Sequence, residues 1–409
     1  MPAELTDFCG DGHGTDANLV STRTAVRRVG KLPAGVRGVN SVLALLLVAY
    51  TAAGCLIHPP GTVRDVPPGE WPATLLDAAR APFRGEAAPE SAPLEVWARD
   101  TERGLAAAPI VHGDVLILGS TGRVLTVTSA RTGREYWHRR FNGPVVGSPL
   151  RIGNTVLAAT ASQDGRVISY TLERGRKLWQ RRLHSPITAD PVYHGGRIYA
   201  ATLRGELYAL DGGSGDILWR SRTPGYALGA PVVHDGALLF ATARDTLVRV
   251  SLESGAQEAV AAMTGTLTAP PALSSDRLLV PVHPNGIATY DARTLALLRQ
   301  DTLDAPVLAA PAVDQDGSAY LLTRNGTVWR LGDAGVERLA SLGGTARESL
   351  TLARNGVLVG RLDGTLVLLR RDGSEVWRTT YPGSIRAPVA LAAGAAYLGL
   401  LNGRLVKLQ

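Results

Sequence analysis

A period near forty residues constrains this chain more than any other feature. A proline that opens a short apolar run falls at Pro109, Pro149, Pro191, Pro231, Pro271, Pro311 and Pro388, with Leu350 as the one replacement, so successive copies start 38–42 residues apart. A tryptophan stands 12 residues upstream of four of these positions, at Trp97, Trp137, Trp179 and Trp219, and 11 residues upstream of the last at Trp377. In the other three copies the equivalent positions fall near Ala259, Arg299 and Arg338. A repeat of this length, built only from short apolar runs and glycine turns, predicts a β-propeller.

Each copy contains four strand-like stretches. In the third they are 191–193, 197–202, 206–211 and 216–220, with apolar residues alternating against small or polar ones at the period of a sheet. Proline at the first position of a strand forfeits no ladder hydrogen bond. The Gly-Gly, Asp-Gly and Ser-Gly pairs between runs supply the positive φ of tight hairpins. The last copy has only three strands, 388–391, 395–400 and 404–408, before Gln409, while 94–99 is a fourth strand with no copy before it. The expected fold is therefore all-β: an eight-bladed β-propeller of four-stranded blades, its last blade closed by the N-terminal strand 94–99. Such closure hides the sheet edges that an open ring exposes.

The chain is 45% hydrophobic and 5% aromatic, which suits one large all-β body. Its net charge of +7 is almost entirely arginine, since lysine occurs only at Lys31, Lys177 and Lys407. The two cysteines, Cys9 and Cys55, lie outside the repeats, which excludes a disulfide framework or a cysteine metal site in the propeller. Arg27, Arg28, Lys31 and Arg37 precede the apolar run 42–50, and Thr51-Ala52-Ala53-Gly54-Cys55 follows it. A basic stretch, an apolar stretch short for a bilayer and small residues make an export signal. Two readings stay open: cleavage before a lipidated Cys55, or an uncleaved anchor helix. Both place the propeller outside the cytoplasm. Residues 1–36 are expected to be disordered or to precede the true start, 37–54 to direct export, 55–93 to form a Pro-rich tether, and 94–409 to form the propeller. Within the tether, 71–80 can form one or two helical turns, with Trp71, Leu75, Leu76 and Ala79 on one face.

The turn Ala209-Leu210-Asp211-Gly212-Gly213-Ser214-Gly215-Asp216-Ile217-Leu218-Trp219 resembles the repeat of the pyrroloquinoline-quinone (PQQ) type propellers, and weaker copies run from Ser129 to Trp137 and from Arg371 to Trp377. The resemblance covers 94–409. It implies a structural role for Trp97, Trp137, Trp179, Trp219 and Trp377, each ring packing on the neighbouring blade. In the quinoprotein dehydrogenases of this family, quinone binding rests on a stacked tryptophan, a vicinal cysteine disulfide and calcium near an aspartate; here the repeats contain no cysteine. Small residues before Cys55, with Ala52 where leucine is more usual, resemble a lipobox. Together with the Pro-rich tether and eight blades they resemble the BamB-like lipoproteins of outer-membrane β-barrel assembly. That resemblance implies a lipid-anchored, non-enzymatic periplasmic scaffold without a cofactor. Its partners would be envelope proteins: the central assembly subunit and nascent outer-membrane proteins. Leu56 and Ile57 after the cysteine permit outer-membrane sorting, with inner-membrane anchoring as the alternative. A PQQ-dependent dehydrogenase and a generic propeller binding envelope protein or polysaccharide are the competing functions.

No catalytic or metal-binding set emerges. His112, His194 and His234 occupy one repeat position in three different copies, so the repeat spreads them around a rim, whereas one ion needs its ligands within bond reach. No phosphate-binding glycine loop, zinc-protease helix or nucleophile elbow occurs, and nothing points to nucleic acid. Asp314-Gln315-Asp316-Gly317 lacks the further oxygens of a calcium loop and is read as a β-turn. Arg139-Arg140 and Arg181-Arg182 follow tryptophans on outer strands and are read as charged, solvated edges, with a basic patch for an acidic partner or lipid headgroups as the alternative.

Overall fold

The computed structural model describes residues 86–101, 104–105 and 107–409. The stretches 1–36 and 37–54, Cys55 and the tether up to residue 85 lie outside the described residues.

The described chain forms eight four-stranded antiparallel sheets, each running from an inner first strand to an outer fourth one. Blade 1 shows the pattern: Ile110–His112, Val115–Gly119, Val124–Ser129 and Glu135–Arg140. Blade 8 combines Ala390–Ala392, Ala395–Gly399 and Arg404–Leu408 with the N-terminal strand Glu95–Asp100, which pairs Trp97 with Lys407, Ala98 with Val406 and Arg99 with Leu405. Leu94 N–H donates to the Gln409 carbonyl at 2.9 Å and Gln409 N–H returns the bond at 3.0 Å. The ring thus closes by the split blade that the repeat spacing implies.

Burial follows strand position. Second and third strands are mostly buried, wholly so in Val115–Gly119 and Thr365–Leu369, whereas outer strands such as Ile217–Arg222 mix exposed and half-buried residues. The core consists of layers between blades: one joins Tyr199, Leu207 and Ala209 of blade 3 to Leu238, Phe240 and Val248 of blade 4. Each large apolar side chain buried there contributes about 1.5–3 kcal/mol.

The tryptophans sit at the seams between blades. Trp97, Trp137, Trp179 and Trp219 donate their indole N–H to the carbonyls of Ala130, Leu172, Gly212 and Leu252, at 3.3, 2.7, 3.3 and 3.0 Å. Each acceptor follows the third strand of the next blade. Each ring covers that blade's turn glycine: a Cβ on Gly133, Gly175, Gly215 or Gly255 would meet ring carbons at 2.9, 2.6, 2.4 or 2.5 Å. These glycines also have φ of +60° to +74°, so both space and backbone require them. Two residues on, arginine clips the same turn. Arg99 Nη1, Arg139 Nε and Arg181 Nε donate to the carbonyls of Gly133, Gly175 and Gly215 at 3.1, 2.8 and 2.6 Å. Arg139 and Arg181 therefore fasten seams, which differs from the reading of both arginine pairs as solvated edges.

Where tryptophan is lost, other groups fill the seam. Beside Ala259, the turn position carries Leu295 instead of glycine, and its side chain is buried. Arg249, the cross-strand partner of Ala259, donates to the Ala292 carbonyl at 3.2 Å, replacing the indole bond. Arg299 Nη1 donates to the Asp333 carbonyl at 3.1 Å in the next seam. Between blades 7 and 8 no such turn occurs among the described residues, because blade 8 takes its fourth strand from Glu95–Asp100. Residues 86–93 stand in for it. Trp377 donates to the Pro89 carbonyl at 2.7 Å, Asn355 exchanges two 2.9 Å bonds with the Ala88 backbone, and Tyr381 OH donates to the Pro93 carbonyl at 3.3 Å. Ala88 is buried against this seam.

Candidate functional site

The loops joining each outer strand to the next blade, and the turns between second and third strands, converge on one face. At its centre, on the axis, is a cavity of about 340 Å³. Its wall comes from one repeat position, the residues just before and at the marker proline, such as Ala107-Ala108-Pro109, Gly147-Ser148 and Thr268-Ala269-Pro270. The sequence displayed this signal as small residues before each proline; the proline reads as a strand opener, and its neighbours as channel lining become evident only in the ring.

The polar groups of this wall are mostly committed to joining blades. Ser148 Oγ donates to the Ala108 carbonyl at 3.2 Å and Thr188 Oγ1 to that of Ala227 at 3.3 Å. Thr351 Oγ1 donates to the Val389 carbonyl at 3.1 Å and accepts its N–H at 3.0 Å. Glu348 pairs with Arg386 at 2.8 Å, and Asp190 is half-buried against Gly147. The two wall carboxylates belong to different blades, and among the described residues no tryptophan, cysteine or histidine lines the cavity. A quinone needs a flat ring to stack on and a cation near a carboxylate cluster. The residues present do not fit that group, and no group of three metal-ligating side chains occurs among the described residues.

Around the mouth, carboxylates and arginines are unequally engaged. Asp164 pairs with Arg166 at 2.9 Å and Asp363 with Arg361 at 2.8 Å. Glu206 pairs with Arg220 and accepts a 2.8 Å bond from Tyr208 OH. Burial works against the Glu206 carboxylate, but the bonds from Tyr208 and Arg220 and the charges of Arg220 and Arg222 hold it below its ordinary range. The same burial and the Glu206 bond push the Tyr208 hydroxyl up to about 12. Asp304 accepts from Thr327 Oγ1 at 2.7 Å, Asn325 at 3.0 Å and Trp329 at 3.2 Å; burial works against its carboxylate, but these bonds hold it below its ordinary range. In contrast, Arg123, Arg204, Arg244 and Arg324, at the tips of second-to-third-strand turns, are exposed and engage no carboxylate among the described residues.

The other candidate residues lie elsewhere. Trp97, Trp137, Trp179, Trp219 and Trp377 are at seams near the rim, far along each blade from the axial cavity. Cys55 lies outside the described residues. His112, His194 and His234 stand at the opposite face on separate blades. His234 bonds Asp276 at 2.7 Å, and His112 is driven down to about 4 by burial and then by the Arg151 charge. Asp314–Gly317 forms a turn in which Asp316 accepts from Ser318 N–H at 2.9 Å and Arg330 at 2.9 Å, and Asp314 pairs with Arg371.

A family model described as outer membrane protein assembly factor BamB matches residues 94–189 and 163–258. No curated protein sequence matches the chain. Among solved structures, BamB from Moraxella catarrhalis is similar with a TM-score of 0.64 at 17% identity, covering 78% of this chain and 100% of that one. The computationally designed Ika8 protein gives 0.66 at 17% identity, over 79% and 99%. Quinohemoprotein alcohol dehydrogenase from Comamonas testosteroni gives 0.69 at 14% identity, over 83% and 80%. At these identities the structural likenesses speak for the fold alone.

Proposed function

We propose, for a chain that is a PQQ-like β-propeller close to the BamB family, the role of a lipid-anchored envelope scaffold, an accessory subunit in outer-membrane β-barrel protein assembly. The loop face carries this reading. The hydroxyls of Ser148 and Thr351 join blades, and the carboxylates of Asp164 and Glu206 are taken by arginines of their own blades, while Arg123, Arg204, Arg244 and Arg324 extend outward without an ion pair among the described residues. Such a face is suited to bind and orient a partner. Cys55 is the lipid attachment point in this account, and the Pro-rich stretch after it sets the reach of the ring from the membrane.

Fold likeness to a quinohemoprotein alcohol dehydrogenase favours a second reading, a quinone-dependent oxidoreductase. The cavity wall supports it poorly, since among the described residues no aromatic side chain lines it to stack on a quinone. Mild crosslinking of the membrane-extracted protein, followed by purification and identification of its partners, tests the scaffold. A barrel-assembly subunit or other envelope protein crosslinked in stoichiometric amount is the expected result. An uncrosslinked protein that binds quinone and oxidises alcohols with a dye would overturn it.

A further inference from the structure

The free arginines are not spread evenly around the loop face. Across blades 2 to 4, Arg182 and Arg222 end the outer strands Lys177–Arg182 and Ile217–Arg222, while Arg204 and Arg244 tip the turns after Arg197–Ala201 and Ala237–Thr242. All four are exposed, and none has an ion pair or side-chain hydrogen bond among the described residues. Neighbouring blades bring them into one sector: the stem of Arg244 reaches over the blade 3 loop, where a Cβ on Gly225 would meet its Cγ at 3.2 Å.

The acids of this sector are already engaged. Asp164 is taken by Arg166, Glu206 by Arg220 and Tyr208, and Asp245 accepts from Thr266 Oγ1 at 3.4 Å; Asp190 is drawn into the channel mouth. Beside Arg204 stands Leu203, 49% exposed at the tip of the same turn. The sector therefore combines exposed guanidinium groups that form no direct ion pair among the described residues with one projecting apolar side chain.

We infer that the Arg182, Arg204, Arg222 and Arg244 sector is a docking surface for an acidic polypeptide segment that carries an apolar residue to cover Leu203. Guanidinium forks match carboxylates in bidentate geometry, and a desolvated leucine contact adds what charge alone does not supply. A bilayer is the poorer fit. A bilayer inserts apolar side chains, and one projecting leucine in this sector gives little to insert. The inference deepens the scaffold reading by naming the chemistry of the partner, and its test needs no native partner.

The test uses the full chain in detergent with a fluorescent peptide built around Glu-Glu-Leu-Glu-Glu, the same peptide with glutamine for glutamate, and vesicles containing phosphatidylglycerol. Binding of the acidic peptide should weaken with salt, fall at least about tenfold in the Arg204→Glu/Arg244→Glu variant, and stay unchanged in Arg347→Glu on blade 7. Equal binding of the glutamine peptide, or equal loss in both variants, would overturn the proposal. So would vesicle binding that depends on Arg204 and Arg244 while the acidic peptide fails to bind. Far-UV circular dichroism of each variant separates loss of the surface from loss of the fold. If the peptide binds at this sector while crosslinking recovers no envelope protein, the surface stands and the assembly role falls.

Discussion

At the residue scale, three of the seams between blades share a three-part fitting: an indole, a turn glycine beneath it and an arginine two residues on. Trp137 is the most enclosed example, and Trp137→Ala should cost about 3–5 kcal/mol, measured by denaturant unfolding. Gly175→Ala should also destabilise, because the added methyl meets the indole and the backbone there has φ of +60°. The glycine and tryptophan were plain in the sequence as a spaced signature. The arginine was less so, because Arg139-Arg140 reads as a charged edge until the neighbouring turn is in place to accept its bond. His112 supplies a pH signature. Its pKa lies near 4 in the fold against an ordinary 6.5. The unfolded chain therefore takes up this proton first, and stability falls as pH drops from about 6.5 toward 4. His112→Asn should shrink the loss in urea midpoint between pH 7.5 and pH 4.5 relative to the parent protein; an identical loss in both would remove His112 from the account.

At the element scale, the N-terminal strand and the segment before it do different work. Glu95–Asp100 completes a sheet, and residues 86–93 take the place that a third-to-fourth-strand turn holds at other seams. Counting strands in the repeat was enough to place 94–99. The docking of 86–93 was hidden because its prolines read as an extended spacer, and the backbone groups that hold it, at Ala88, Pro89 and Pro93, leave no side-chain pattern. A chain beginning at residue 100 should lose cooperative melting or show a strongly lowered Tm, whereas one beginning at residue 94 should remain folded but less stable. Asn355→Ala, which removes both bonds to Ala88, should cost about 1–3 kcal/mol by urea unfolding. Equal melting of the chain beginning at residue 100 and the parent would refute the split-blade closure.

At the scale of the whole molecule, the ring gathers one position from every repeat to the axis and another to the rim. This explains why fold and site differed in legibility. The fold is written eight times, so the loss of tryptophan at Ala259, Arg299 and Arg338 did not obscure it. The candidate surface rests on positions that carry arginine in only some copies: Arg182 and Arg222 at the ends of outer strands, Arg204 and Arg244 in turns, with Leu203 beside one of them. Their neighbourhood depends on ring geometry and on which acids are already engaged, and neither can be read along the chain. The scaffold account rests on that loop face and is tested most directly by placing a photocrosslinking amino acid at position 204 or, on an outer strand three blades away, at position 338, in cells that make the full chain. The account predicts an adduct with an envelope protein through an acidic segment from position 204 and none from position 338. Adducts of equal yield from both positions, or none from position 204, would contradict it.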